Sequence, residues 1–523
     1  MAHKGDSRRK RGGSKASARK RPGSQKGSPS ATTQREDLLT MEEAVEQLKT
    51  SRPTLYRWVR QGKIKGIKVG RQWRFRPEDI ERFMRGEGPA VELPVGVDAM
   101  LDGLRRALRE AGVQTDQVEE VLTSEEPTIA AAQAIILLAY RTRSSDIHLQ
   151  PSAEPGREPG KALLRLRIDG VLHKALEFDL RALAPLVAQF KRMTACDVNT
   201  KHRPQDGRLV ESIDGAEVDL RVNFLPACYG EAVTARVLRR DAEVLSLDDM
   251  PLHQRDGEVL RDALAAPYGL IVIAGPAGSG KTTTLYAALQ SLNHPHLKVI
   301  TIEDPVEYVF PGMLQVQIMP REGLTFESAL RSSMRADPDV IMLGEVRSEE
   351  ALQICFQISL TGHLVLTTLH TNTAAGTLRR MLDLGADPFL IREAGRLVMA
   401  QRLVRRLCPH CSVEAEPDPV LLEEARRMAR TGGVDLNSLP GRFRKAVGCG
   451  KCSQTGYRGR TCVVELMRIT PRIAAELQRG ASDAELTAAA VGEGMTTMAA
   501  DGIRRAACGE TTLEEVRRVT ANL

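Results

Sequence analysis

Long apolar runs are missing from this 523-residue chain. None approaches the ~20 residues that cross a bilayer as a helix. The longest, Ile129 to Tyr140, reads as a buried helix. The first residues hold no apolar core of the kind that directs secretion, so the expectation is a protein made and kept in the cytoplasm. No period of the solenoid type recurs. Net charge is also missing from most of the chain, although the formal total is +7. Residues 1–35 carry 11 lysines and arginines against Asp6 alone, which leaves the remainder slightly acidic. That tail has few large apolar residues and cannot bury enough surface to fold, so 1–37 is predicted to be a disordered basic tail. It would bind phosphate backbones or anionic lipid in a salt-dependent way, or act only as a solvated extension.

What is present is ordinary for a soluble globular protein: 42% hydrophobic residues, and length for about three to four domains. The most informative stretch is Gly275, Pro276, Ala277, Gly278, Ser279, Gly280, Lys281, Thr282 and Thr283. It follows an apolar run, Gly269 to Ala274, that reads as a buried strand, and it opens a helical pattern. Strand, glycine loop, lysine, hydroxyl and helix together cradle nucleotide phosphates. The glycines turn backbone N–H groups toward the anion, and the helix N-terminus adds its dipole. Lys281 is expected to reach the β- and γ-phosphates, and the Thr282 hydroxyl to hold Mg²⁺.

Three later segments say more than "nucleotide". Val299 to Tyr308 delivers Glu303, Asp304 and Glu307 to the end of an apolar strand. Asp337 to Arg347 does the same for Glu345. Ligands of open α/β sheets bind at such strand ends, where a carboxylate can hold Mg²⁺ or orient the attacking water. Thr361 to Asn372 sets His363 and His370 at either end of a third strand, where a histidine beside the γ-phosphate can sense it.

In this order the segments resemble the type II secretion and type IV pilus assembly ATPase family (GspE/PilB-like), as its Walker A loop, Asp box, Walker B segment and His box. Ser144 to Pro151, Leu166 to Leu172, Arg203 to Arg208, Asp219 to Val222, Gln401 to Pro409 and Gly456 to Thr461 also match, so the resemblance covers about residues 125–520. It implies an α/β multidomain protein with a RecA-like P-loop core, preceded by a PAS-like α/β domain. It also implies ATP hydrolysis with Mg²⁺, a homo-hexameric ring with ATP between the two domains of each subunit, and an inner-membrane platform protein as partner. Phosphoryl transfer needs positive charge at the transition state. Arg208, Arg221 and Arg236 are the candidates, in cis or from a neighbouring subunit.

Nine cysteines in a cytosolic chain argue for metal over disulfides. Cys408-x-x-Cys411 and Cys449-x-x-Cys452 form two knuckles whose four thiolates suit a structural Zn²⁺, with a redox pair as the alternative. The resemblance agrees, since assembly motors carry a tetracysteine element at this place and retraction motors generally lack it.

The N-terminal region departs from that family. Thr40 with Glu43 reads as a capping box, Ser51 caps a second helix, Ile64 to Phe75 alternates as a hairpin, and Arg76 to Met84 closes as a helix. The layout resembles winged helix-turn-helix domains of excisionase and MerR-type regulators. That resemblance places Arg52, Thr54, Tyr56 and Arg57 toward a DNA groove, with Arg71 and Arg74 near phosphates. Protein contact is the other use of such a domain. The expected domains are a winged helix at 38–86, a linker with helices at 87–120 and the α/β domain at 121–242. The ATPase core follows at 243–406, the zinc-binding insert at 407–460 and a C-terminal helical region at 461–523.

Overall fold

The computed structural model describes residues 38–60, 64, 66–70, 72–84, 96–123, 126–152, 160–239 and 246–521. The basic tail and Arg71 lie outside the described residues. The chain divides into two compact units, Met1–Glu92 and Leu93–Leu523.

In the first unit the capping box forms as expected: Glu43 N–H donates to Thr40 Oγ1 at 3.2 Å, and Thr40 N–H donates to the Glu43 carboxylate at 2.7 Å. It opens the helix Met41–Gln47, which Arg52–Arg60 follows. Ile67–Val69 and Gln72–Phe75 pair antiparallel, and Pro77–Met84 closes the unit. A third strand, Leu39–Thr40, pairs with Phe75 and Arg74. At two residues it is too short to show the alternation by which strands are recognised in sequence. Leu55, Ile64, Phe75 and Ile80 form the core.

The second unit begins with an antiparallel sheet: β1 (Ser144–Ser152), β2 (Lys161–Ile168), β3 (Val171–Asp179), β4 (Gln205–Ile213), β5 (Ala216–Ala227) and β6 (Gly230–Arg239), in spatial order β3-β2-β1-β6-β5-β4. Alternation decides its two faces. Val218, Leu220, Val222 and Phe224 of β5 join one core cluster with residues of α1 (Val97–Glu110), α2 (Pro127–Arg141) and α3 (Leu183–Met193). Asp219, Arg221 and Asn223 take the opposite face, which is left to polar side chains.

The larger sheet holds β7 (Gly269–Ala274), β8 (Val299–Glu303), β9 (Leu314–Gln317), β10 (Val340–Leu343), β11 (Leu364–Leu369), β12 (Gly395–Leu407) and β13 (Tyr457–Arg468), in order β9-β8-β10-β11-β7-β12-β13. All neighbours run parallel except β12 and β13. β7 is buried on both faces. Leu270, Val272 and Ala274 pack into one cluster, and Ile271 and Ile273 into the other, which explains an unbroken apolar run. α4 (Lys281–Leu292) leaves the loop after β7, and α5 (Ala374–Asp383) follows β11.

β12 and β13 form a hairpin whose far end carries the cysteine segment. β13 therefore takes residues from both the predicted insert and the predicted C-terminal helical region. The segment is not a separate globule: α6 (Pro419–Thr431) packs against α7 (Met498–Ala507) around Leu421, Ala425, Ala500 and Ile503. No helix among the described residues is long and apolar enough to cross a membrane.

Candidate active site and metal centre

The glycine loop sits at the C-terminal end of β7, between β11 and β12. Gly275 has φ 153, and a Cβ there would lie 2.5 Å from the Gln401 carbonyl oxygen. Gly280, at φ 91, caps α4 in the left-handed region that glycine adopts without strain. Lys281 Nζ donates to the carbonyls of Gly275 (2.8 Å) and Pro276 (3.2 Å) and lies 3.5 Å from His370 Nδ1. Burial holds its pKa below the usual lysine value, against the pull of Glu345. Thr282 and Thr283 stand exposed at the mouth of a cleft.

That cleft, about 1450 Å³, separates the α/β domain from the larger sheet. Arg208, Arg221 and Arg236 line it opposite Thr282, Thr283 and Glu307. Register explains their grouping: Arg208 pairs with Arg221 across β4 and β5, Arg221 with Arg236 across β5 and β6, and Arg236 with Asp146 across β6 and β1. Each arginine has a carboxylate. Arg208 forks onto Asp219 (Nε to Oδ1 2.9 Å), Arg221 meets Glu307 at 3.2 Å, and Arg236 meets Asp146 at 3.4 Å.

The acids divide. Glu345 lies beside His370, Oε2 to Nε2 3.2 Å, and also pairs with Arg347. Glu307 faces the cleft. Glu303 is only 4% exposed and is enclosed: it accepts from the Tyr286 hydroxyl, from Thr301 Oγ1 at 2.6 Å and from Gln315 Nε2 at 3.3 Å. Burial first, then the Glu303 contact, drives the Tyr286 phenol well above its usual pKa, so it donates here. The histidines divide too. His370 joins the lysine and Glu345. His363 lies at the other end of β11, where its carbonyl accepts from Gly269 N–H at the start of β7. Six strand residues at ~3.3 Å each put it roughly 20 Å from the loop.

At the end of the β12–β13 hairpin four sulfurs converge. Cys408 Sγ is 3.9 Å from Cys449 Sγ, and Cys452 Sγ is 3.8 Å from those of Cys411 and Cys449. All four ligand atoms lie within 4.8 Å of one another. Four thiolates at ~2.3 Å from one ion form a tetrahedron with edges of roughly 3.8 Å, so the donor set fits zinc. Backbone N–H groups support the sulfurs: Gly448 donates to Cys411 Sγ at 3.4 Å, and Cys449 and Gly456 each donate to Cys452 Sγ at 3.2 Å. Burial works to raise the Cys452 thiol, but these amides outweigh it and bring it to about 7.

In the first unit Arg52, Tyr56 and Arg57 stand exposed on one helix, with Thr54 half-buried beside them. Arg52 pairs with Glu42 at 3.0 Å, and Thr54 shares a hydrogen bond with Ser51 at 2.8 Å. Tyr56 accepts from Trp73 Nε1 at 3.1 Å, which joins the helix to the hairpin, and Arg74 donates to Gln72 at 2.8 Å.

The model of the type II/IV secretion system protein family matches residues 121–518. The chain belongs to that family. A helix-turn-helix domain model matches residues 38–88. Type II secretion system protein E of Pseudomonas aeruginosa is 40% identical over 409 residues, 78% of each chain. The type IV pilus assembly ATPase PilB of Myxococcus xanthus is 38% identical over 449 residues, 85% of this chain and 76% of that protein. The solved ATPase DotB of Yersinia pseudotuberculosis superposes with a TM-score of 0.54 at 19% identity, covering 75% of this chain and 93% of its own, and shares the fold.

For a member of the secretion family, two supporting residues escape a reading by motif, and a third, Gln401, opens the matching segment Gln401 to Pro409 without its role being marked. Tyr286 lies mid-helix as an aromatic among aliphatics. Gln401 and Glu465 lie on β12 and β13, where nothing in their spacing sets them apart. Only the unusual placement of a polar residue inside an apolar strand signals them.

Proposed function

We propose that this chain is the ATP-hydrolysing hexameric motor of a type II secretion or type IV pilus or pseudopilus system. It would work at the cytoplasmic side of the inner membrane, on an inner-membrane platform protein. The observation that carries the reading is the cleft itself, in which Thr282, Thr283 and Glu307 face Arg208, Arg221 and Arg236 across the gap between two domains. Family membership and relatives named for secretion and pilus assembly support it.

In this reading the amides of Gly278 to Thr282 and the Lys281 ammonium hold the β- and γ-phosphates of ATP. The Thr282 hydroxyl holds Mg²⁺, with Thr283 alongside. That ion supplies charge neutralisation on the phosphate oxygens. Glu345 takes the proton of the attacking water, oriented by its contact with His370. Glu307 anchors Arg221 at the cleft wall, and Glu303 positions the strand end through Tyr286. Arg208, Arg221 and Arg236 each leave a carboxylate to meet phosphate charge as the cleft narrows, from the same subunit or a neighbour. His363 acts from the far end of β11, as a strand anchor. The four cysteines hold Zn²⁺ as a structural centre. In such a motor residues 121–242 form a PAS-like domain, 243–406 the ATPase core, 407–460 the zinc-binding insert and 461–523 the C-terminal helical region. The test is ATP turnover by the full chain. Lys281→Ala abolishes it, and Glu345→Gln retains ATP but hydrolyses it at least roughly a hundredfold more slowly. Wild-type turnover in Glu345→Gln would sink the assignment.

The helix-turn-helix match and the exposed Arg52, Tyr56 and Arg57 favour a second reading, a DNA-bound regulator that uses the ATPase as a switch. Here Arg52, Thr54, Tyr56, Arg57, Arg71 and Arg74 contact DNA. Salt-titrated binding of the full chain to duplex DNA decides it. Sequence-selective binding supports the regulator, and none at any salt leaves the winged helix as a protein adaptor.

A further inference from the structure

Gln401 lies on β12 one residue beyond the point where Ala400 pairs with Ala274, the last residue of β7. Its side chain is 1% exposed and makes two hydrogen bonds. Nε2 donates to the Ser279 carbonyl at 2.8 Å, and Oε1 accepts from Thr284 Oγ1 at 2.8 Å. A carbonyl partner at one end fixes which end of the amide is NH₂, so the orientation is determined by chemistry. Resting on the ATPase reading above, we propose that Gln401 is a positioning residue for nucleotide binding, which sets the phosphate loop by gripping the Ser279–Gly280 peptide and the first turn of α4 at once.

The peptide between Ser279 and Gly280 is planar and trans. Its C=O and N–H point in opposite directions. Holding the Ser279 carbonyl toward β12 aims the Gly280 N–H the other way, into the loop where phosphate oxygens bind. The backbone at that place, with φ 91, already requires glycine, and a Cβ there would also crowd Gln401 Nε2 at 3.1 Å. Thr284 N–H donates to the Gly280 carbonyl at 3.1 Å, so the grip on Thr284 ties the helix start to the next peptide, Gly280–Lys281. The next residue on the strand continues the support. Arg402 Nη2 donates to Asn372 Oδ1 at 3.0 Å, two residues past His370. Gln401 touches no reacting atom in this arrangement; it acts through the loop.

Gln401→Met fills the space without either bond. Gln401→Glu keeps an acceptor for Thr284 and turns an acceptor toward the Ser279 carbonyl. Both are measured in the full chain by ATP turnover, by binding of a fluorescent N-methylanthraniloyl-ADP and by thermal melting. Loop amides serve ground and transition states alike, so the loss falls on KM more than on kcat. The expected result is a KM for ATP and an analogue Kd raised about tenfold in Gln401→Met, more in Gln401→Glu, with kcat changed less than KM. Unchanged KM and Kd, or a fall in kcat alone, would overturn the proposal. If the Gln401 variants do not fold, Thr284→Val removes one bond from the helix side. KM raised about threefold there supports the grip, and wild-type KM there overturns it. A wild-type chain that fails to hydrolyse ATP would count against the ATPase reading itself; active wild type with unaltered variants would count against Gln401 alone.

Discussion

Removing Glu465 tests how the larger sheet holds two helices. The Glu465 side chain, 5% exposed on β13, accepts from Ala374 N–H at 2.6 Å and from Met498 N–H at 3.1 Å. These are the first residues of α5 and α7, whose first-turn N–H groups have no partner within their helices. One carboxylate thus closes two helix N-termini, where the dipoles favour negative charge. Glu465→Ala strands two buried donors at ~1–3 kcal/mol each, roughly 2–6 kcal/mol together. Part is returned, because burial raises the Glu465 pKa and its ionised form already carries a desolvation cost. The expected net loss is about 2–4 kcal/mol, read by urea unfolding, with faster hydrogen exchange at the Ala374 and Met498 amides. The pH dependence has a definite sign. A carboxyl whose folded pKa lies above its ordinary 4.5 binds more proton when folded. Its contribution to stability is fully present below 4.5 and is lost as pH rises through the folded value, so Glu465→Ala hurts stability less at neutral pH than the same bonds would from a carboxylate of ordinary pKa. A loss under ~0.5 kcal/mol with unchanged exchange at both amides would refute the two-helix clamp.

Metal analysis of the purified chain should give one zinc per polypeptide. Cys452→Ser should lose it and expose the segment between β12 and β13 to protease, while the phosphate loop still binds nucleotide; a metal-free wild type that resists protease would count against the centre. Tyr286→Phe removes the donor that encloses Glu303 and the acceptor for the Glu307 N–H at 3.2 Å. It should lower stability by about 1–2 kcal/mol and slow ATP turnover with little change in nucleotide affinity. Equal loss in affinity and rate would show that Tyr286 supports the phosphate loop and not the acidic strand end.

What could be read in advance follows a physical division. β7, β8, β10 and β11 are apolar runs because both sheet faces are covered, and their chemistry lies just past their ends, so run and motif announce each other. The cysteine knuckles are equally legible, since thiolate spacing reflects ligand geometry directly. The arginines of the cleft were legible only as candidates. Their shared position comes from cross-strand register, which places Arg208, Arg221 and Arg236 in one row although they are far apart in sequence. His363 and His370 show the limit of flanking a strand, since one lies at the start of β11 and the other at its C-terminal end, beside the glycine loop. The two-residue strand Leu39–Thr40 left no pattern at all.

Gln401 and Glu465 belong to the same hairpin, and that changes what the cysteine centre can do. β12 runs from beside β7 to Leu407, and Cys408 follows immediately; β13 starts at Tyr457, one residue after Gly456, whose N–H donates to Cys452 Sγ. Leu407 pairs with Tyr457 across the hairpin, and Cys408 N–H donates to the Gly456 carbonyl at 2.9 Å. Seven residues at ~3.3 Å put Gln401 at most roughly 23 Å from Cys408, along a strand whose pairing with β13 shifts between Arg405 and Leu407. A hairpin whose loop end is pinned by four converging sulfurs resists the splaying and register slip that would carry Gln401 away from Ser279 and Glu465 away from Ala374. A metal ion held by the four cysteines would act on the glycine loop mechanically, by holding the ends of the two strands that support it. Loss of zinc should raise the KM for ATP in the same direction as loss of the Gln401 bonds, and combining Cys452→Ser with Gln401→Met should give less than the product of the two effects. Full multiplicativity would mean that the centre and the loop are mechanically independent.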